Sequence, residues 1–567
     1  MKKRNFTLIS IILLILIIVL AVVIFVTVGK KKDINTSTDP NSTTTISPSQ
    51  SPQATVSPTP NDNSEAVLQL YPAPKLINNE TKYGYIDATG KFTLEPAFDT
   101  ASDFNDGAAI VTMDSKYYII DEDGNVLYIN EGPINDYRNG YAVFAKVNAD
   151  GSYTYGYLDT KGKVVIEPVF TQASNFTKDG KAYVSKGNGL YEQIDKAGTL
   201  VESYDLGSKY NYAISIEDGY LVYPDSDSNT VGVITMKGED IFLPKYSDIV
   251  YLGNDLFGMK KPGLESYEES MVAEQAIFNV TGEQLSDYVY YDLGNYYNGY
   301  SSATNDESTF FVGTDGKIVA NLPKFEGRGT VRLLGDIISA LIDGDQAYYN
   351  LDKEVIWKED TTLQLSDNIK VTQAIYKPTR DVLVKYPQVE GLADSSVQDQ
   401  INKKLTSIFV DNRKTIKKSD MLSVSDDYSA KLMKNLLVIE RTGYDYYYGA
   451  AHGMPIRDYY NIDVNTGTFF ELKDLFLEGS DYKTKINEMI SNEINSDIKS
   501  GDSMFFEGSF TSITDNQYFY LQDDAIVFYF YPYDISAYAG GFPEFVIPFA
   551  DISEFINTSG DFWKAFH

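Results

Sequence analysis

The chain has no cysteine among its 567 residues. Disulfides, zinc–thiolate sites, iron–sulfur clusters and cysteine nucleophiles are excluded together. Large exported proteins of animal cells usually carry disulfides, so an exported chain of this size without cysteine points to a bacterium, and to a Gram-positive one. Histidine is nearly as scarce, with only His452 and the C-terminal His567. A Ser–His–Asp triad or a histidine-based metal site would have to run through His452. No catalytic constellation, metal site or cofactor is therefore expected, and the chain reads as a non-enzyme. Tryptophan is rare too, at 2 residues, whereas 45 Tyr and 30 Phe tilt the composition towards strands.

Positive charge is the next deficit. Lys and Arg number 48 against 80 Asp and Glu, a net charge of −32. Six of the 48 basic residues (Lys2, Lys3, Arg4, Lys30, Lys31 and Lys32) fall in the first 32 positions, so the remainder has 42 against 80, or −38. Such a surface repels phosphate backbones, and nucleic acid is excluded as a partner. It attracts basic proteins and divalent ions, with plain solubility as the alternative reading.

One long apolar run is present. Phe6 to Val28 is interrupted only by Thr7, Ser10 and Thr27. Its 23 residues span roughly 35 Å as a helix, enough for a bilayer core of about 30 Å. The run exceeds a signal-peptide core and ends in Val28-Gly29-Lys30 without a small-x-small cleavage site. We expect residues 1–32 to be an uncleaved single-pass membrane anchor crossing at 6–28. Three basic residues flank each end, so charge does not orient it. The Ser/Thr/Pro-rich stretch at 33–66 does: it cannot bury a core and is expected to be a disordered stalk, reaching on the order of 100 Å if extended. The N-terminus is then cytoplasmic and the bulk of the chain extracytoplasmic.

From 67 to 360 the chain repeats itself. Tyr83-Gly84-Tyr85-Ile86-Asp87-Ala88-Thr89-Gly90-Lys91 is echoed by Tyr155-Gly156-Tyr157-Leu158-Asp159-Thr160-Lys161-Gly162-Lys163. Each is followed by Pro-x-Phe, at Pro96-Ala97-Phe98 and Pro168-Val169-Phe170, and then by Ala-Ser-Asp/Asn-Phe. Weaker copies of the turn occur at Asp121–Gly124, Asp195–Gly198, Thr235–Gly238, Asn279–Gly282, Gly313–Gly316 and Leu351–Glu354. The pattern predicts hairpins of an aromatic–aliphatic strand, a tight turn and a β-branched strand. A unit this short must stack on its neighbours. Seven or eight units suit a closed β-propeller, with an open β-solenoid as the alternative. Acidic turns such as Asp121-Glu122-Asp123-Gly124-Asn125 lack the distant Glu of an EF-hand and read as backbone turns. These residues resemble the bacterial WG repeat, with Tyr83 and Tyr155 where that family has Trp. The resemblance implies an interaction scaffold rather than chemistry.

From 361 to 567 the pattern changes. Val397, Ile401, Leu405, Ile408, Phe409 and Ile416 recur at helical spacing, with Ser395 and Gln398 placed as a capping box. Tyr482, Ile486, Met489, Ile490, Ile494 and Ile498 form a second stripe, and 525–531 and 544–549 read as strands. The expectation is an α+β domain with helices packed on an antiparallel sheet. Residues 386–392, Ile401-Asn402, 448–452, 460–467, 472–476, 533–541 and Pro548 resemble the extracellular domain of lysozyme-sensing anti-sigma factors of the RsiV type, a module also found beside peptidoglycan deacetylase domains. Five residues ahead of the apolar run could not hold a sigma factor, and a deacetylase needs clustered Asp and His ligands, so the resemblance implies the outer binding domain alone.

His452 follows Tyr444-Asp445-Tyr446-Tyr447-Tyr448 in a turn of small residues. With Asp534 it could serve as an acid–base group; ligand contact or a structural hydrogen bond are the alternatives. Tyr446, Tyr448, Tyr533 and Tyr538 could stack on sugars or form a protein-binding hot spot, or be ordinary strand residues. The expected partner is a basic extracellular protein such as lysozyme, with cell-wall glycan as the alternative. A carboxylate-dependent hydrolase is the third reading, with no pair to name.

Overall fold

The hairpin turns show how the first half of the chain is built. Asp87 accepts the N–H groups of Thr89 (2.8 Å) and Lys91 (3.1 Å) on one carboxylate oxygen. Asp121, Asp159 and Asp195 do the same to residues two and four ahead, and Thr235, Asn279 and Asn350 repeat it with a hydroxyl or amide oxygen. These Asx and Thr turns hold the chain for the left-handed residue that follows. Gly90 supplies it at φ 83°, and the last turn places Lys353 there at 64°. In the Asp121 turn the second carboxylate oxygen accepts from Asn125 Nδ2, so both oxygens serve the turn itself.

The structure, a computed structural model, describes residues 69–567 apart from 78–79, 226–227, 229, 265 and 502. The expected anchor (1–32) and stalk (33–66) lie outside the described residues. The described chain is mainly β with few helices, and none of its ten sheets closes on itself as a barrel.

Residues 71–358 form eight antiparallel sheets of three or four strands, at 71–98, 100–130, 141–170, 172–205, 215–246, 249–279, 300–326 and 329–358. Between each sheet and the next lies an apolar cluster. Tyr85 of the first sheet meets Ala109, Val111 and Ile120 of the second, and Tyr157 and Ile166 of the third meet Ala182, Val184 and Ile194 of the fourth. The series returns on itself: Leu334, Ile337 and Tyr348 of the eighth sheet pack with Tyr71, Ala73 and Ile86 of the first.

A tyrosine hydroxyl reinforces these junctions. Tyr85 donates to Ser102 O (2.9 Å), Tyr157 to Ser174 O (2.9 Å) and Tyr191 to Tyr210 O (2.6 Å), each reaching towards the following sheet. Tyr348 makes the same bond to Pro72 O (2.7 Å), from last sheet to first. A buried phenol needs such an acceptor, and this use accounts for part of the tyrosine content. The motif glycine has its own reason. A Cβ on Gly84 would stand 2.4 Å from Leu94 O and 2.7 Å from Pro96 N, and one on Gly156 2.5 Å from Ile166 O. The Pro-x-Phe strand crosses over the glycine too closely for any side chain.

From Leu363 a seven-stranded sheet runs to Phe470, with the helix Ser395–Val410 burying Ile401, Leu405 and Phe409 against it. All pairings are antiparallel except one. Val382–Glu390 runs parallel to Leu422–Met433, and the helix lies in the crossover that a parallel pair requires. The helix start departs from the sequence reading: Asp394 is the cap, accepting from Ser396 N and Val397 N. Gln398 instead accepts from Leu392 N (3.2 Å), and the helix stops at Val410, short of Ile416. The second helix, Tyr482–Ser500, packs Ile486, Ile490 and Ile494 with the three-stranded sheet of Phe519–Leu521, Ala525–Tyr529 and Glu544–Pro548.

Residues 67–567 form one compact unit. Across its internal seam, carboxylates of the repeat sheets meet basic residues of the following region. Arg380 binds Asp292 at 2.7 Å, Lys418 binds Asp306 at 2.8 Å and Lys385 binds Asp345 at 2.6 Å, and Lys377 pairs with Asp343. Arg328 reverses the polarity by pairing with Asp381 at 3.4 Å. Leu76 of the first sheet packs against the core around the helix Ser395–Val410.

Candidate functional site: a histidine–tyrosine face

The long strands Leu436–Tyr447 and Met454–Asp463 pair along their length, and the turn joining them carries His452. Gly453 closes this turn where no side chain fits, since a Cβ there would lie 2.5 Å from Asp445 O and 2.6 Å from the Tyr444 ring. A second loop, after the strand Ala525–Tyr529, brings Tyr533 and Tyr538 to the same place.

His452 has both ring nitrogens engaged. Nδ1 lies 3.0 Å from Gly453 O, which can only accept, so Nδ1 carries the proton. Nε2 then accepts from the Tyr533 hydroxyl at 2.9 Å. The imidazole stacks on Tyr538 with centroids 3.8 Å apart. Tyr538 donates to Gly453 O (2.9 Å), and the Tyr444 hydroxyl accepts from Gly453 N (2.8 Å). Burial, with the neighbouring Tyr444, raises the Tyr538 phenol above its ordinary range. Tyr533 stands at φ 74°, a costly conformation for a bulky side chain, and the residue is 51% exposed.

Asp534 does not bond to His452. Its carboxylate accepts from Tyr531 N (3.0 Å) while Tyr533 N donates to Ser536 O (3.1 Å), and these bonds hold the Tyr533 loop in shape. Tyr446 and Tyr448 point to the internal seam. Their rings meet edge to face at 5.8 Å. The Tyr446 hydroxyl donates to Ala450 O (3.2 Å) and lies 3.7 Å from Met271 Sδ in the helix Tyr267–Met271. Burial and the Asp381 carboxylate push the Tyr448 phenol up to about 12. Of the six residues singled out in the sequence, His452, Tyr533 and Tyr538 converge, Asp534 shapes their loop, and Tyr446 and Tyr448 do not take part.

Three features went unread in the sequence. Tyr444 belongs to the histidine cluster. Arg457 lies within 5.3–5.7 Å of the rings of Tyr459, Tyr520, Tyr529 and Phe542 and pairs with Glu440 and Glu544. Beneath the sheet, Arg413 bridges Asp426 and Asp445, and Arg441 also binds Asp426, which is 2% exposed. The signal for this network was present: Asp426 and Arg441 occupy inward positions of otherwise apolar alternation.

Two families match the chain. The WG containing repeat matches residues 83–117 and 155–191, and the family described as "Protein of unknown function (DUF3298)" matches 473–550. Peptidoglycan-N-acetylmuramic acid deacetylase PdaC of Bacillus subtilis (strain 168) is 25% identical over 199 residues, covering 33% of this chain and 42% of that protein. The chain thus spans less than half the length of this relative. Among solved structures, a DUF3298 family member from Bacteroides fragilis is 20% identical over 33% of this chain and 93% of that one, at a TM-score of 0.26. A DUF3298 family protein from Pseudomonas aeruginosa PAO1 is 18% identical over 34% and 95%, also at 0.26. By sequence, then, this chain carries WG repeats in its first half and a DUF3298 domain at its C-terminus, with homology to the peptidoglycan deacetylase PdaC.

Proposed function

We propose that this protein is a non-enzymatic binding module of the bacterial cell envelope whose ligand-contacting face is the His452–Tyr533–Tyr538 cluster. One observation carries the reading: Tyr533 is held half-exposed in a strained conformation against an imidazole whose two nitrogens meet a carbonyl and a phenol, not a carboxylate. That arrangement presents an aromatic surface, and it lacks the acid partner that would drive proton transfer. In the same reading the eight sheets are a β-propeller rather than a β-solenoid, supported by the Tyr348–Pro72 bond from last sheet to first. Residues 6–28 hold the protein in the membrane with its N-terminus inside, and the binding region stands outside.

The acidic surface favours a basic partner such as lysozyme. Wall glycan is the second reading, favoured by the similarity to a peptidoglycan deacetylase. Titration of the chain from residue 33 onward with lysozyme and with wall fragments, over a salt series, separates them. A basic partner gives saturable binding that weakens with salt and drops in Tyr533→Ala and His452→Ala. Glycan binding tolerates salt but shows the same aromatic dependence. If both ligands bind the two variants as well as the parent, the histidine–tyrosine face is not the contact surface.

A further inference from the structure

The charged seam is unevenly paired where the eighth sheet enters it. The hairpin turn Asp343-Gly344-Asp345 and, after the last strand of that sheet, Glu359 supply three carboxylates. Lys377 and Lys385 face them from the strands Lys370–Thr379 and Val382–Glu390. A fourth carboxylate, Asp427 of the strand Leu422–Met433, stands beside Lys385, one step past the parallel pair Val384–Asp426. Lys377 pairs with Asp343, which also accepts from Arg328 N (2.9 Å). Lys385 pairs with Asp345 at 2.6 Å, and Gln373 Nε2 donates to the same carboxylate at 3.0 Å. The turn sits close over this lysine, since a Cβ on Gly344 would stand 3.2 Å from Lys385 Nζ. Glu359 and Asp427 are served less well. Glu359 accepts from Gln346 N (3.2 Å) and Asp427 from Tyr428 N (2.7 Å), and the attraction each feels comes from Lys385, already bound to Asp345. Arg328 and Arg380 are taken by Asp292 and Asp381, and Arg413 and Arg441 by Asp426. Two ammoniums thus meet four carboxylates, with Lys385 shared among three.

Carboxylates crowded into a half-buried site repel one another, and protonation of one relieves both the repulsion and the desolvation. Burial raises the carboxyls of Glu359 and Asp427 above the ordinary range. Asp345 adds to both, Asp427 adds to Glu359 and Asp426 to Asp427, and Lys385 offsets only part of this. Tyr83 and Tyr428 are the remaining titratable neighbours, and burial raises their phenols too, so both stay neutral. A carboxyl raised by folding stabilises the closed state below its unfolded value near about 4, and that stabilisation is lost as pH rises through the raised value. We propose that this cluster is an acid-closed latch: with Glu359 and Asp427 protonated the eighth sheet and the C-terminal region hold together, and their ionisation loosens the seam. The latch is independent of what the histidine–tyrosine face binds.

The test is hydrogen–deuterium exchange of the full-length chain at about pH 5.5 and about pH 8.5, each rate divided by that of the unfolded chain so that intrinsic base catalysis cancels. The facing segments 342–347 and 373–379 should lose protection at least about ten-fold at the higher pH, the change that one pH unit of linkage gives. The strand Ala525–Tyr529, buried in the core around the second helix, should keep its protection. Glu359→Gln combined with Asp427→Asn should bring the two pH values within about two-fold. If that double variant fails to fold, Glu359→Gln alone should cut the fall to about three-fold. Equal protection at the two pH values in the parent overturns the latch, as does a fall that the variants leave undiminished. A fall shared equally by Ala525–Tyr529 also overturns it, because the whole fold and not the seam would then be responding.

Discussion

Glu217 ends the first strand of the fifth sheet, where Asn175 donates to it at 3.4 Å and the Arg138 guanidinium attracts its charge. Burial pushes its carboxyl up to about 7, an effect that the attraction of Arg138 and the Asn175 bond only partly offset and that Asp218 adds to. A carboxyl whose folded pKa is raised binds its proton more tightly when folded than when unfolded. Its contribution is fully present below the unfolded value near 4.3 and is lost as pH rises through about 7. Glu217→Gln should therefore match the parent in urea denaturation at pH 4 and exceed it at pH 8, by on the order of 2 kcal/mol. A variant less stable than the parent at pH 8 would mean that the ionised carboxylate is well compensated. The turn aspartates run the other way. Hydrogen bonds from Thr89 and Lys91 hold Asp87 below the ordinary range, so its contribution is present at neutral pH and disappears as pH falls through that lowered value.

At the scale of the element, the helix Ser395–Val410 separates what the sequence states from what it leaves open. Its apolar stripe was legible because Ile401, Leu405 and Phe409 recur at helical spacing and are buried. Its cap was not, because Asp394, Ser395 and Ser396 are all good capping residues and only the chain path decides between them. The Asp394 carboxylate makes the bonds, so Asp394→Ala should lower the melting temperature while Ser395→Ala changes little. Thermal melts of the two variants check this, and the reverse order would restore the capping box at Ser395. The repeat hairpins were legible for a related reason. An Asp or Asn that bonds residues two and four ahead fixes a turn locally, and even the divergent last copy, with Lys353 in place of glycine, keeps Asn350 in that role. The parallel pair of Val382–Glu390 with Leu422–Met433 was missed, since strand pairing across a helix leaves no local mark. The site was half legible for the same reason. His452 and Tyr538 flank a tight glycine turn and a loop that sequence marks well, whereas the use of Asp534 depends on a bond within the loop, and Tyr446 and Tyr448 face the seam because of strand register.

The whole molecule has a charged seam. Lys377 and Lys385 of one region meet Asp343 and Asp345 of the other with all four side chains at most 17% exposed. Half-buried pairs of this kind are less screened than surface pairs, and removal of one partner leaves the other uncompensated. The double variant Lys377→Ala/Lys385→Ala should loosen the seam without unfolding either side. Limited proteolysis near 359–362 and small-angle scattering would detect it as faster cleavage and a larger radius. Unchanged cleavage in the variant would place the strength of the seam in Arg380, Arg328 and the Leu76 contact instead.

The Tyr348–Pro72 bond has a mechanical side. A row of sheets open at both ends peels from whichever end is pulled, one unit after another. Here the first strand is clasped by the last sheet, and Leu76 within it also touches the core that follows. Tension applied between residue 69 and the C-terminal region therefore falls first on that clasp, and the sheets between are bypassed. The described region can bear a pull along its length without unravelling until the clasp gives way.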